Sequence, residues 1–184
     1  MGNRIHSTCK SVVASGHEVV TRAAVEMLER GGNAFDAVLG AGFAGPIAEP
    51  ALTSLGGGGF LLAHTASGES TLLDFFCDTP GRGGVAPAAL DFHPLRVPFG
   101  DATQVFHIGA GACAVPGVLA GYLEAHERFG RLELREIVAP AVRAAREGVA
   151  LNRSQAFVNQ ILGPIFLQDD ESRAMFAPRG ELLG

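Results

Sequence analysis

Small residues are the feature that most restricts how this chain can fold. Glycine occupies 25 of the 184 positions, and glycine and alanine together fill more than a quarter of the sequence. They concentrate in the segment after Asn33, in the run Gly56, Gly57, Gly58 and Gly59, and around Pro116-Gly117. Because such residues let two backbones approach closely, we expect elements that pack tightly against one another at these three places.

The overall composition excludes several classes of protein. Hydrophobic residues make up 47% of the chain and the formal net charge is −5, values that are typical of a globular chain and not of a disordered one. The glycines do not recur at every third position, which excludes a collagen helix. A length of 184 residues corresponds to one ordinary domain.

Charge and hydropathy also restrict the partners. Basic residues number 14 against 19 acidic ones, and no basic run suggests a nucleic-acid partner. Glycine and proline interrupt the longest apolar stretch, residues 37–48, which is shorter than the roughly 20 residues of a membrane span, so we expect no membrane partner. The N-terminal residues 1–6 lack the apolar core of a secretory signal. Either the protein is cytoplasmic or the numbering starts after a signal has been removed, and the localisation stays unknown.

The residue patterns predict neither a metal site nor a cofactor. The three cysteines are widely spaced, and the six histidines form no pair at metal-ligand spacing on one helix. The run Gly56 to Gly59 lacks the lysine of a phosphate-binding loop and precedes a predicted strand, so we interpret it as a structural loop where backbones cross. No G-x-S-x-G turn is present, and residue chemistry alone therefore reveals no catalytic set.

Periodicity and capping signals predict the secondary structure. Helices are expected over 18–30, over 34–43 or slightly beyond, over 116–129, over 134–147, and in a tail from Asn152 that Gly163-Pro164 breaks into two pieces. Asn33 and Asp36 have the spacing of a capping box. Strands are expected over 10–15, 60–64, 70–75 and 112–115, with the second and third forming an antiparallel hairpin, and 80–100 is expected to be a long ordered loop.

This order of elements lacks regular βαβ alternation. It predicts an α+β fold in which helices pack on a largely antiparallel sheet. No internal repeat and no low-complexity linker divides the chain.

Several short phrases, in order along nearly the whole chain, resemble the large subunit of γ-glutamyltranspeptidases. They are VAS at 13–15, ERGGNAFDA at 29–37, EP at 49–50, GGGGF at 56–60, AVPGVLAG at 114–121, HERFG at 126–130, APAVRAAREG at 139–148 and FAPRG at 176–180. Each phrase alone is modest, but their common order makes the resemblance specific.

The resemblance implies part of an N-terminal nucleophile hydrolase fold, an αββα sandwich with two antiparallel sheets between helical layers. Family members cut themselves from one precursor into a large and a small subunit, and the terminal threonine of the small subunit is the nucleophile, with its own amino group as base. Residues 1–184 are then a single incomplete domain without a catalytic residue, inactive alone. Its partners would be the rest of the large subunit, the small catalytic subunit and a small-molecule amide substrate.

The sequence departs from the family at the end of the predicted hairpin. Family members usually carry Asp-Gly-Arg-Glu there, and that arginine binds the α-carboxylate of a γ-glutamyl donor. Here Phe76 takes the arginine's place after Asp74, so we consider Asp74, Phe76 and the downstream Arg82 as substrate-binding residues. Either Arg82 binds the carboxylate or the donor is a different amide, as in acylase-like relatives, and we favour the second.

Two further alternatives stay open. Strand alternation allows Phe76 to turn inward as a core residue as readily as it allows Phe76 to face a substrate. The chain could also be a non-catalytic binding or scaffold domain derived from the family.

Overall fold

The computed structural model describes residues 11–81, 83–84 and 89–183, and within these ranges the chain forms helices and two antiparallel hairpins. The helices are α1 (Glu18–Glu29), α2 (Ala34–Ala48), α3 (Val118–Phe129), α4 (Leu134–Glu147), α5 (Arg153–Phe166) and α6 (Asp170–Phe176). The strands are β1 (Phe60–His64), β2 (Ser70–Asp74), β3 (His93–Phe99) and β4 (Ala102–Ile108), and a short 3₁₀ turn covers Ala110–Ala112.

Helices α1 and α2 form a tight hairpin, as the sequence predicts. Gly31 follows α1 with a φ of 86°, a conformation that glycine adopts without strain. The side chain of Asn33 then accepts hydrogen bonds from the backbone N–H groups of Phe35 and Asp36, and the Asp36 carboxylate accepts one from the backbone N–H of Asn33. The predicted capping box is confirmed.

Helix α2 lies at the centre of the helical layer and contacts α1, α3 and α4. Its small residues make this possible, since a side chain at Gly40 would come within 2.8 Å of Met27 Cγ. The largest fully buried apolar side chains of this region are Met27, Leu39 and Ile137. The tight packing expected of the small-residue segment after Asn33 is therefore confirmed. The core lies between α1, α2, α4 and one face of the β1–β2 hairpin.

Asp36 joins two distant parts of the chain through its fully buried carboxylate. Its Oδ2 accepts from the N–H of Asn33 at 2.8 Å, and its Oδ1 accepts from Arg131 N at 2.9 Å and Leu132 N at 3.3 Å. The Asn33 side-chain amide donates to the carbonyl of Phe129 at 2.7 Å. The start of α2 is thereby bound to the connection between α3 and α4.

A carboxylate with two guanidinium partners lies on the outer side of the α1–α4 contact. Glu26 accepts hydrogen bonds from Arg143 on α4 and from Arg30 at the end of α1. Burial raises the pKa of Glu26, but the hydrogen bonds and charges of Arg143 and Arg30 outweigh it and lower the pKa below the ordinary glutamate value. The glutamate consequently stays ionised and paired in weakly acidic solution.

The β1–β2 hairpin packs one face on the helices, and its other face is bare in the described structure. The strands are antiparallel, with Phe60 opposite Asp74 and Leu62 opposite Leu72. Leu61, Ala63 and Leu73 are buried, while Phe60, Leu62 and Leu72 are exposed. Helices on antiparallel strands confirm the predicted α+β class.

The predicted loop over 80–100 is wrong for its second half, which forms strand β3. Pro94 and Pro98 concealed this strand, because proline is rare in sheets. In a two-stranded hairpin each proline can occupy a position where no ladder donor is needed, and Val97 between them is fully buried. The chain reverses into β4 at Gly100, whose φ is 65°.

The other differences between the predicted and the observed secondary structure also arise where tertiary contacts outweigh local sequence patterns. Residues 11–15 form no strand, and no described strand pairs with them, whereas Lys10 lies outside the described residues. The strand expected over 112–115 is reduced to a bridge between Val115 and Asp78. Helix α5 continues through Gly163-Pro164 and ends at Phe166, because a proline near a helix C-terminus removes only one late hydrogen bond.

None of the helices described here has both the length and the apolar composition that a bilayer span requires.

The carboxylate of Asp36 provides a direct test of the helical layer. Asp36→Ala leaves three backbone N–H groups without their acceptor, and we expect a loss of about 3 kcal/mol in the free energy of unfolding. Glu127→Ala removes a carboxylate from the exposed face of α3 and should change it by less than about 0.5 kcal/mol. Urea denaturation of the two variants measures both, and equal values for the two variants would contradict the central role of Asp36.

Candidate functional site

The segment between α2 and β1 folds into a compact loop that reaches α3. The N–H groups of Leu52 and Thr53 both donate to the carbonyl of Glu49, and Gly57 N donates to Ser54 O. The carbonyl of Gly57 then accepts from Gly117 N at 3.0 Å and Val118 N at 3.1 Å. The loop thus occupies two of the unpaired N–H groups at the start of α3.

The glycines of this loop differ in how much space surrounds them. A Cβ on Gly58 would overlap the backbone of Phe76 and Cys77, whereas a Cβ on Gly56 would meet only Ser54 Oγ at 3.4 Å. Gly59 exchanges two backbone hydrogen bonds with Phe75, at 3.1 and 3.3 Å. The close crossing of two backbones therefore depends on Gly58 and not equally on all four glycines.

Phe75 and Phe76 point to opposite sides of the chain. Phe75 packs edge-on against Tyr122, with ring centroids 5.8 Å apart, and side chains at Gly117 or Gly121 would overlap it. Phe76 is 62% exposed and stacks on Phe60 at 5.5 Å between centroids. Within the described part of the chain Phe76 does not turn inward, because Phe75 occupies that place.

The structure describes only one of the other two candidate substrate-binding residues, Asp74 and Arg82. Asp74 ends β2, where its exposed Oδ1 accepts from the N–H of Phe76 at 3.0 Å and so fixes the backbone that carries the Phe76 ring. Arg82 lies outside the described residues. The structure thus places Asp74 and Phe76 side by side, at the same edge as the loop glycines.

A cavity of about 570 Å³ opens on the helical side of the loop. Apolar residues and glycines line most of it, together with Tyr122, whose pKa is raised by burial. Glu49 is the only charged residue that the described part of the chain contributes to the lining. The sequence did not identify either side chain as a site residue. The phrase Glu49-Pro50 was the only available signal, and it carried no chemical role.

The described residues offer two binding surfaces. Among them no group of three histidines, cysteines, aspartates or glutamates is arranged to hold a metal ion. The arrangement can present an exposed aromatic pair, Phe60 and Phe76, and an apolar cavity with one carboxylate.

Known proteins resemble this chain both in sequence and in fold. A model of the γ-glutamyltranspeptidase family matches residues 20–184. The glutathione hydrolase proenzyme of Escherichia coli (strain K12) is 31% identical over 175 residues, which are 95% of this chain and 29% of that protein. The acylase ACY 1 proenzyme of Pseudomonas sp. (strain SE83) is 34% identical over 148 residues, which are 77% of this chain and 25% of that protein.

The crystal structure of Helicobacter pylori γ-glutamyltranspeptidase superposes with a TM-score of 0.76 at 29% identity, over 97% of this chain and 49% of that chain. This likeness confirms the predicted fold class, an α+β part of an N-terminal nucleophile hydrolase fold. The chain spans less than a third of the length of the two curated relatives and about half of the solved chain.

Two alanine substitutions within the glycine loop test its geometry. Gly58→Ala forces a methyl group into the backbone of residues 76–77, and we expect a loss of more than about 2 kcal/mol in the free energy of unfolding. Gly56→Ala has room for its methyl group and should be neutral or slightly stabilising. Thermal unfolding of both variants measures the difference, and a Gly58→Ala variant as stable as Gly56→Ala would contradict the close crossing.

Proposed function

The chain belongs to the γ-glutamyltranspeptidase family, and from this membership we propose that it forms the N-terminal part of the large subunit of an amidohydrolase of the family. The observation that carries the proposal is the family match, which extends over residues 20–184. In this proposal residues 1–184 are one incomplete domain. Its partners are the rest of the large subunit and a small catalytic subunit from the same precursor.

The proposed reaction is nucleophilic attack on an amide carbonyl, which breaks the C–N bond, releases the protonated amine and forms an acyl–enzyme ester. The acyl group then passes to water or to a second amine. The nucleophile would be the N-terminal threonine of the small subunit, whose α-amino group accepts the hydroxyl proton. This chain contributes no catalytic residue in the proposal. Its part is to shape the donor site through the edge formed by the Gly58 loop, Asp74 and Phe76.

The donor that this edge favours is a neutral acyl or aryl amide. Phe76 stands where the family usually has the arginine that binds the α-carboxylate of a γ-glutamyl group, and a phenyl ring forms no charge-assisted hydrogen bond. Its exposure and its stacking on Phe60 present an apolar surface. The 34% identity to a protein named as an acylase also supports a neutral acyl amide as the donor.

A γ-glutamyl donor is the second candidate, because the resemblance to glutathione hydrolase is comparable in extent. In that case Arg82 would supply the positive charge that Phe76 lacks.

Activity of the isolated polypeptide distinguishes a part of an enzyme from an enzyme that works alone. The purified 184-residue polypeptide should not hydrolyse a γ-glutamyl anilide or a neutral acyl anilide, because it lacks the proposed nucleophile. The complete gene product that contains this chain should hydrolyse one of the two. Release of the aniline, followed by absorbance, measures both. Turnover by the polypeptide alone would contradict the proposal, and no turnover by the complete product would favour a binding or scaffold domain.

Substitution of Phe76 tests donor choice in the complete gene product. Phe76→Arg supplies a guanidinium group for an α-carboxylate, so we expect the ratio of kcat/KM for γ-glutamyl over neutral acyl anilide to rise at least about tenfold. Phe157→Arg is the matched control, because Phe157 on α5 is 61% exposed and lies far along the chain from this edge. If the ratio is unchanged in Phe76→Arg, or rises equally in the control, Phe76 does not contact the donor.

A further inference from the structure

Two aromatic rings lie exposed and in contact at the end of the β1–β2 hairpin. Phe60 and Phe76 are stacked, with ring centroids 5.5 Å apart and an angle of 13° between the ring planes. The two residues are 59% and 62% exposed. Single apolar residues are common on protein surfaces, whereas contiguous exposed apolar groups more often mark a binding surface. The pair is therefore a candidate binding surface.

The strand register explains why the two rings meet. Phe60 lies opposite Asp74, and Gly59 and Phe75 exchange two backbone hydrogen bonds, so the antiparallel pairing continues past the last residue of β2. Residues two positions apart on a strand share a face, which makes Phe76 the diagonal neighbour of Phe60 on the outer face. Diagonal neighbours are within reach of aromatic side chains. The contact follows from the backbone pairing, and the two rings belong to one surface.

The backbone that carries the Phe76 ring is held from two sides. Asp74 Oδ1 accepts a hydrogen bond from the Phe76 N–H at 3.0 Å. Gly58 crosses the same backbone so closely that a Cβ on it would lie 2.8 Å from Phe76 Cα. A surface that is fixed before binding loses less conformational entropy when a ligand binds. The aromatic pair is in this sense prepared for a rigid group.

A carboxylate lies next to the aromatic pair. Asp74 is exposed, precedes Phe76 by two positions and stands directly opposite Phe60. A negative charge at this position repels an anionic group, and a phenyl ring supplies no charge-assisted hydrogen bond that would offset the repulsion. The surface consequently favours a neutral group over an anionic one.

The chemistry of the donor shows which neutral group fits. Aromatic rings attract one another in stacked and edge-on arrangements beyond the effect of area burial, so a planar ring suits this surface better than an alkyl chain. In a γ-glutamyl donor, two methylene groups separate the amide carbonyl from the α-carbon that carries the carboxylate. In a 3-phenylpropanoyl group the same two methylene groups lead to a phenyl ring. That ring takes the place of the carboxylate, just as Phe76 takes the place of the family's arginine.

We propose that Phe60 and Phe76 together form an aryl subsite, which selects donors whose acyl group carries an aromatic ring two methylene groups from the amide carbonyl. The inference rests on the proposed function, in which this edge of the hairpin shapes the donor site. It adds a substrate class, the arylalkanoyl amides, and a second specificity-determining residue, Phe60.

The experiment compares three donors on the complete gene product, followed by the release of aniline. 3-Phenylpropanoyl anilide carries the planar ring, 3-cyclohexylpropanoyl anilide carries an apolar ring of similar size without a π system, and glutaryl anilide carries a carboxylate. We expect kcat/KM for the phenyl donor to exceed that for the cyclohexyl donor at least about threefold. Glutaryl anilide should be the poorest of the three.

Variants connect this preference to the two rings. Phe60→Leu and Phe76→Leu keep an apolar side chain without the ring, and each should bring the phenyl-to-cyclohexyl ratio of kcat/KM close to one. Phe60→Tyr retains the ring and should retain the ratio. Phe157→Leu, which removes an exposed ring from α5, is the matched control and should also retain it. A merely structural role of Phe60 would lower kcat/KM for both donors alike and leave the ratio unchanged.

The proposal is overturned if the unsubstituted protein treats the phenyl and cyclohexyl donors alike, as expected if another layer of the complete enzyme covers the rings. It is also overturned if glutaryl anilide is the best donor, or if either leucine variant keeps the ratio. No turnover of any anilide would instead contradict the proposed function. Calorimetric titration with 3-phenylpropanamide and 3-cyclohexylpropanamide then decides the subsite: tighter binding of the aryl amide that Phe60→Leu abolishes supports it, and any other result overturns it.

Discussion

The buried carboxylate of Asp36 is the interaction on which the arrangement of this chain depends. It binds the N–H of Asn33 on its own side and those of Arg131 and Leu132 almost a hundred residues away. A buried charge is tolerated only when hydrogen bonds replace its hydration, and three backbone donors do so here. The start of α2 and the α3–α4 connection are therefore held in one relative position, which the apolar core alone would define less sharply because apolar contacts are not directional.

The position of α3 in turn determines the geometry of the candidate site. The first N–H groups of α3 bind the carbonyl of Gly57, and Gly121 leaves space for the Phe75 ring beside Tyr122. Because successive residues at a strand end point in opposite directions, fixing Phe75 inward places Phe76 outward. The exposure of Phe76 is thus a consequence of packing that begins at a helix terminus on the other side of the core.

Local signals made much of the fold predictable, and the unpredicted parts are those that tertiary contacts decide. The capping residues Asn33 and Asp36 and the glycines after α1 and α4 set helix ends within a few residues, so sequence alone located them. Strand β3 was missed because Pro94 and Pro98 are unfavourable signals unless the partner strand is known. The side to which Phe76 points depends on a one-residue register, which periodicity cannot supply. The pairing of Glu49 with Gln155 joins positions 106 apart, and no local pattern records such a contact.

Exposure alone does not make Phe76 a substrate contact, because the outer face of the β1–β2 hairpin exposes other apolar side chains as well. Leu62 is 74% exposed and Leu72 is 61% exposed, against 62% for Phe76. Strands with apolar residues on both faces are typical of sheets that are covered on both sides. In the proposed complete enzyme a second layer would cover Leu62 and Leu72. What distinguishes Phe76 is its place just beyond the last residue of β2, on a backbone that Asp74 and Gly58 fix, where the family's carboxylate-binding arginine is expected. In the proposed enzyme a residue at that place would lie where the covering layer ends and the donor site begins. Its chemistry would then bear on donor choice, while that of Leu62 and Leu72 would bear on packing.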